Sequence, residues 1–593
     1  MKITETTRRN ILTAFGACVA FGAMAVPAKR EPFTVTQPDG TDLTVILRGD
    51  EHSHFLLTED GYFLIETEGG RYEYAAPAAD GTMLKTGVIA RDANRRSASD
   101  RRYLTAYTPE LAAETIKARF KARKKAPMRG PGLYTGSSFP KKGEQKGLVI
   151  LVEFTDVAFG DKNSSQYKGV EAHEYFSEML NKEGFDTFGG TGSARDWFIQ
   201  NSQGQFKPQF DVFGPVKLDN NVAYYGANDF YGNDKNAHMM VLEACAALDE
   251  TVDFSQYDRD GDGNVDNVYV FYAGYGEADG GGATTVWPHS WELSSGGIAP
   301  KDRTFDGVRV DKYACSNETD RSARRPDGIG TFVHEFSHVL GLPDLYSTVE
   351  NSAFTPGAFS VMDYGPYNNN GRTPPNYSAY ERYAFDWLAP EQFERTGDYT
   401  LENLADSNKA YIIKTERENE YFLLENRQNS GWDAYIPGSG MLVWHVDYNE
   451  RIFTQNTVNN TPSHQYVDLV EADNRQTTYT QPGDPFPGTS KKTEFGFETT
   501  PSLKSWGGKS TGVEISAIAE LDPEEENKLS VISMHVDVSN NEDPSGIGAV
   551  DAGADSGVPM TYYNLQGIRV ENPLAGQTVI RRQGNSVRKV LVR

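Results

Sequence analysis

Residues 330 to 346 read GTFVHEFSHVLGLPDLY, and no other stretch of the chain limits its own conformation so strongly. The flanking "TFV" and "VLGL" supply a buried apolar helix. On a helix, positions i and i+4 share a face, so His334 and His338 project side by side and can both ligate one metal ion. Glu335 is offset by one residue and points at the open position of that metal, where a general base takes a proton from water. The competing reading is a helix with scattered histidines. Two imidazoles buried among apolar residues without a ligand would be costly, which favours zinc.

Gly341 can end the helix in a left-handed conformation and reverse the chain. Asp344 then returns toward the metal as the expected third ligand, with Glu381 in YSAYERYAFDWL as the alternative. Downstream, SVMDYG places Met362 in a tight turn that suits a hydrophobic floor under a metal site. Tyr364, two residues later, is a candidate donor to a developing oxyanion. His289 in VWPHSW and His445 in VWHVD read equally well as structural histidines.

A second cation site is written in YDRDGDGNVDNVY. Asp258, Asp260, Asp262 and Asp266 recur at alternate positions, with Gly263 for a sharp turn and Asn264 offering its carbonyl, the ligand spacing of a calcium loop. Position 12 is Tyr269 instead of Glu and a strand follows, so the loop braces a turn and is not an EF-hand.

With 593 residues the chain should divide into roughly three or four domains. Its net charge of −25 argues against nucleic acid or an anionic membrane surface as the main partner. Lys2, Arg8 and Arg9 precede the apolar run ILTAFGACVAFGAMA, which reads as an export signal cleaved after Ala25 or Ala28. That run is too short to span a membrane, and no later segment could. The expected location is therefore secreted or at the cell surface. Beyond the signal only Cys245 and Cys315 remain, too few for a disulfide scaffold or thiolate cluster, and their pairing is left open.

Composition marks out the remaining parts. Residues 33 to 90 alternate apolar and polar positions between Asp-Gly and Gly-Gly turns, a small antiparallel β unit. A basic stretch follows, dense in Lys and Arg from Lys117 to Arg129. From Lys142 the pattern is α/β, and past Trp387 it becomes a series of short strands that suggests a sandwich. An acidic, small-residue linker begins at Ser539, ahead of a last β segment.

Taken together, HEFSHVLGLPDLY, SVMDYG, the aspartate loop, VWPHSW and YFLLENRQNSGWDAYIPGSGMLVWHVD resemble the M6 peptidases, the immune inhibitor A family, over about residues 33 to 538. The motif also resembles the elongated metzincin plan HExxHxxGxx(H/D) with a Met-turn, with Asp in place of the commoner His. The resemblance implies a secreted zinc endopeptidase made with a propeptide. Its expected parts are a signal peptide at 1–25, a β-rich propeptide at 26–129, and an α/β zincin catalytic domain at 140–390. A β-sandwich at 391–538 and an acidic linker with a sorting-signal-like segment at 539–593 complete it. The last segment suggests surface attachment, and the expected substrates are proteins or peptides met by a monomer. Two other classes compete with this reading: a zinc hydrolase of non-peptide substrates, and a surface adhesin with a relic protease domain. The intact Glu335 argues against a relic. A propeptide without cysteine must cover the metal with another group, and RGDEHSH at Arg48–His54 is the most polar candidate.

Overall fold

The computed structural model describes residues 26 to 591 apart from 51–52, 68, 78–82, 106–107, 110–138, 164–165, 230–231, 350–352, 523–528, 540–547, 550–559, 564–568, 571–577 and 584–585. The export signal, most of the basic stretch and the acidic linker lie outside the described residues.

Six strands near the N-terminus run in chain order as an antiparallel meander: β1 (Phe33–Thr36), β2 (Asp42–Asp50), β3 (Ser53–Thr58), β4 (Phe63–Thr67), β5 (Arg71–Pro77) and β6 (Met83–Ile89). Their turns fall at the Asp39-Gly40, Asp60-Gly61 and Gly69-Gly70 pairs, as the alternation predicts. One face is closed by Val35, Leu43, Val45, Leu64 and Tyr74, packed with Leu104 of a short helix.

The second sheet carries the site. It comprises β7 (Gly143–Glu153), β8 (Phe206–Lys217), β9 (Val268–Tyr275), β10 (His289–Glu292) and β13 (Lys312–Asp320), in the order β10-β13-β9-β7-β8. A hairpin of β11 (Thr304–Phe305) and β12 (Val308–Arg309) precedes β13, and β14 (Arg325–Pro326) pairs with its end. All pairings from β13 to β8 are parallel, while the edge strand β10 is antiparallel. A parallel sheet needs cover on both faces, and the apolar run VYVFYAG of β9 supplies residues for each. Tyr269 and Phe271 face the helix Gly330–Leu340 through Phe332, whereas Val268, Val270 and Tyr272 face the helix Ala237–Leu248.

The β-rich half forms two further sheets. One has β15 (Glu391–Gln392), β17 (Tyr411–Lys414), β18 (Glu420–Arg427), β19 (Gly440–Asp447) and β20 (Val467–Leu469). The other has β16 (Gly397–Leu401), β21 (Val513–Leu521) and β22 (Val531–Val538), with β22 in the middle. Period-2 alternation divides β18 and β19 between two cores. Phe422, Leu424, Met441 and Val443 pack with Ile515, Ile532 and Val536 of the three-stranded sheet. Leu423, Leu442, Trp444 and Val446 instead join the apolar cluster that contains the helix Gly330–Leu340. One continuous core thus runs from Phe139 to Leu469, across the position where composition changes. A further small sheet forms between residues 548 and 591. Among the described residues no helix is long and apolar enough to cross a membrane.

Cys245 and Cys315 are both buried as free thiols in the core beneath β7, β9 and β13. Burial pushes both thiols well above their ordinary range, which makes them unreactive. A thiol reagent should therefore find neither in the native protein and both after denaturation; a single disulfide and no free thiol after denaturation would contradict this arrangement.

Candidate metal centre

The helix Gly330–Leu340 is buried along its whole length, so its position is fixed by packing on every side. Phe332 and Phe336 set it against the sheet, with ring centroids 5.0 and 5.3 Å from Phe210. Its first turn approaches another backbone so closely that a Cβ on Gly330 would lie 1.9 Å from the Pro366 carbonyl oxygen. The helix ends as its sequence predicts. Gly341 takes φ 107° and ψ 11°, and its N–H bonds back to the His338 and Ser337 carbonyls.

That reversal brings three side chains together. Ligand atoms of His334, His338 and Asp344 all lie within 4.8 Å of one another, and all three residues are buried. His334 Nδ1 donates to the Val361 carbonyl at 2.7 Å, and His338 Nδ1 donates to the Leu342 carbonyl at 2.7 Å. A carbonyl only accepts, so both Nδ1 atoms hold protons and both Nε2 atoms turn inward, where a deprotonated Nε2 presents a lone pair. Those Nε2 atoms are 3.0 Å apart, and Asp344 Oδ1 lies 3.4 and 3.2 Å from them. Two lone pairs and a carboxylate oxygen converging in a buried site repel one another unless a cation or a proton sits between them. The donor set of two imidazoles and a carboxylate fits zinc.

The carboxylate is favoured by positive charge at the centre of the cluster: burial pushes Asp344 up, but charge and hydrogen bonding from the His338 and His334 side outweigh it and hold the group well below the usual carboxylate range. Burial lowers His334. Glu335 does not join the cluster; its Oε1 accepts from the Val26 N–H at 3.0 Å, and its Oε2 is buried without a partner. Burial, and then the Asp344 charge, push Glu335 well above its ordinary range.

Supporting groups hold each ligand. Met362 is buried in the turn after the motif, where its carbonyl accepts from Leu345 N at 2.8 Å. Glu381 stays outside the cluster: it accepts from Ser360 Oγ at 2.7 Å and from the Ser378 N–H at 2.5 Å. It thereby holds the turn whose Val361 carbonyl orients His334. Tyr364 is covered by the Arg30 guanidinium, 3.8 Å above its ring, and burial pushes its hydroxyl up to about 12. His289 bonds the Trp287 carbonyl at 2.6 Å and the Tyr313 hydroxyl at 2.9 Å, a structural role.

Sequence reasoning missed two residues. Asn456 clamps Asp344 from both sides: its Nδ2 donates to Asp344 Oδ2 at 2.5 Å and its Oδ1 accepts from the Asp344 N–H at 2.8 Å. It lies 112 positions from its partner, and no local pattern announces it. Val26 is the second, since nothing in VPAKR suggests contact with a glutamate 309 positions away. Of RGDEHSH, Arg48 bonds the Arg30 carbonyl at 3.1 Å and His54 pairs with Glu277 at 2.8 Å; residues 51–52 lie outside the described residues. No described residue of that segment takes the place expected for it, and Val26 stands at Glu335 instead.

In the aspartate loop, carboxylate oxygens of Asp258, Asp260 and Asp262 lie within 4.8 Å of one another. Asp258 accepts from the Asp262 and Gly263 N–H groups, at 3.0 Å each. Asp266 is buried with Oδ1 unpartnered; burial, Asp260, Asp258 and Asp262 push it up to about 7, although the Arg259 N–H opposes them. The Asn264 side-chain oxygen is taken by Arg309 at 3.1 Å, which leaves its main-chain carbonyl as the group it can offer.

Residues 136–390 match the family model described as immune inhibitor A peptidase M6, catalytic domain. Among curated relatives, the pre-pro-metalloprotease PrtV of Vibrio cholerae serotype O1 is 25% identical over 317 residues, 46% of this chain and 34% of its own length. Immune inhibitor A of Bacillus thuringiensis subsp. alesti is 29% identical over 282 residues, 41% of this chain and 39% of its own length. The chain thus matches about a third to two fifths of the length of these relatives.

Metal analysis tests the ligand set. Asp344→Ala should lower bound zinc, and Asn456→Ala, which keeps every ligand but frees Asp344 to rotate, should weaken zinc binding by roughly 10- to 100-fold. Wild-type zinc affinity in Asn456→Ala would show that the clamp is idle.

Proposed function

Through residues 136–390 the chain belongs to the M6 peptidases, the immune inhibitor A family, and on that premise we propose that the protein is a secreted zinc endopeptidase made as a zymogen. The observation that carries the reading is the paired Nε2 atoms of His334 and His338 beside Asp344, with Glu335 one residue away. His334, His338 and Asp344 would hold the ion. When bound, zinc supplies Lewis-acid polarisation of water and of a peptide carbonyl. Glu335 takes the proton from the attacking water and passes it to the leaving amine. Tyr364, once Arg30 has left its ring, is the candidate donor to the carbonyl oxygen. The site closes as a metzincin-like centre on a Met362 floor, with the paired C-terminal sheets as a β-sandwich behind it.

Latency rests on the same geometry. Val26 occupies Glu335 with its N–H, and Trp287 Nε1 and the Tyr367 hydroxyl grip the Val26 and Pro27 carbonyls at 3.1 and 2.6 Å. A substrate carbonyl cannot reach Glu335 while this segment is in place. Export-signal cleavage after Ala25 turns that N–H into a terminal amine facing the catalytic carboxylate. Cleavage in the basic stretch up to Arg129 then frees the cleft. The aspartate loop holds calcium and braces the turn before β9.

Glu335→Gln should retain zinc and fold while proteolysis of casein by the active form falls by roughly 10²- to 10⁴-fold; undiminished cleavage would rule out this base. Calcium added to the stripped protein at fixed zinc should raise its melting temperature, equivalent to about 2.7 kcal/mol at a hundredfold excess over Kd. An unchanged melting temperature in wild type would remove calcium from the account.

A further inference from the structure

Lys29 is the counter-ion of a pocket that belongs wholly to the M6 part of the chain. Its ammonium lies 2.8 Å from Asp320 Oδ2 and 3.4 Å from Asp279 Oδ1, and Asp327 adds its charge to the same group. Three separate elements supply these carboxylates: the turn after β9, the end of β13, and the approach to the helix Gly330–Leu340.

The carboxylates are set in place without help from Lys29. Asp320 Oδ1 accepts from Ser322 Oγ at 2.6 Å and the Ala323 N–H at 2.7 Å. Asp327 accepts from the Gly328 N–H at 2.9 Å and Thr331 Oγ at 3.2 Å. Asp279 accepts from the Arg321 N–H. Burial, together with the Asp320 charge, pushes Asp279 up to about 7 and Asp327 up to about 6. Lys29 is the cation that opposes this at Asp279 and Asp320, while Arg372 also acts on Asp327. A pocket with three carboxylates favours another cation once the segment and its ammonium are removed.

The segment that brings Lys29 there is held as a peptide in the cleft. It starts at Glu335 with Val26, its first two carbonyls are gripped by Trp287 and Tyr367, and the Lys29 N–H bonds the Ala278 carbonyl at 3.0 Å. We propose that Asp279, Asp320 and Asp327 form a specificity subsite for a basic side chain, lysine or arginine, of the peptide substrate, three residues along from the residue seated at Glu335, and that Lys29 occupies it as a stand-in. The proposal rests on the peptidase reading above. It also gives the basic stretch a role, because KARFKARKKAPMR at 117–129 offers such a side chain near almost every bond.

The test is a cleavage-site profile of the active, secreted, zinc-loaded protein on a mixed peptide library. Lysine and arginine should be enriched at one position within about four residues of the scissile bond. The kcat/KM ratio for a lysine peptide over its glutamine counterpart should fall by roughly tenfold in Asp320→Asn. Cleavage without basic enrichment overturns the subsite alone, and a zinc-loaded protein that cleaves no peptide overturns the peptidase reading with it. A second measurement does not depend on that variant folding: a synthetic peptide VPAKREPF should inhibit the wild type at least about tenfold better than its Lys29→Ala form. Equal inhibition by the two overturns the proposal.

Discussion

Two imidazole Nε2 atoms, 3.0 Å apart in a buried site and facing a carboxylate, are the arrangement around which the rest of the molecule is organised. The protein holds them in that position. Carbonyls of Val361 and Leu342 take the Nδ1 protons, so neither ring can turn its lone pair away without abandoning a buried hydrogen bond. Each such loss would cost about 1–3 kcal/mol. The helix cannot slide either, because its glycine turn meets the backbone at Pro366 and its phenylalanines lock against the sheet. A divalent cation between these three groups would offset their mutual repulsion.

Parts of the chain far from the helix are needed to keep that geometry. Asn456 reaches over from the β-rich half to clamp Asp344, while Asn459 and Asn460 bond the Leu345 carbonyl and the Thr348 N–H nearby. The loop carrying Asp344, the proposed third ligand, is therefore built against the C-terminal sheets, and the continuous core from Phe139 to Leu469 reaches the site directly. The N-terminal segment uses the same cleft from the other side. Val26 meets Glu335, Arg30 covers Tyr364 and Lys29 fills the aspartate pocket, so one short peptide engages the proposed base, the proposed donor and the proposed subsite at once.

What could be read from the sequence was whatever depends on local spacing. Residues four apart share a helix face, a glycine at the helix end turns left-handed, and Asp-Gly pairs mark hairpins; the structure shows each of these where the sequence places it. Long-range partners were invisible. Asn456 and Val26 lie 112 and 309 positions from the groups they touch, and ordinary residues in those segments carry no periodic signal. The choice between Asp344 and Glu381 was open for the same reason. Both are acidic residues near the motif, and only the fold shows that Glu381 spends its two oxygens on Ser360 and Ser378. A polar segment was expected at the metal because polar groups bind metals, yet the group that meets Glu335 is the main-chain N–H of an apolar valine.

The most direct test of the account is X-ray absorption at the zinc edge of the purified protein in its latent form. The account predicts a first shell with two imidazole nitrogens and at least one carboxylate oxygen, without sulfur. A shell with thiolate sulfur, with three or more imidazoles, or a protein that takes up no zinc at all, would contradict it.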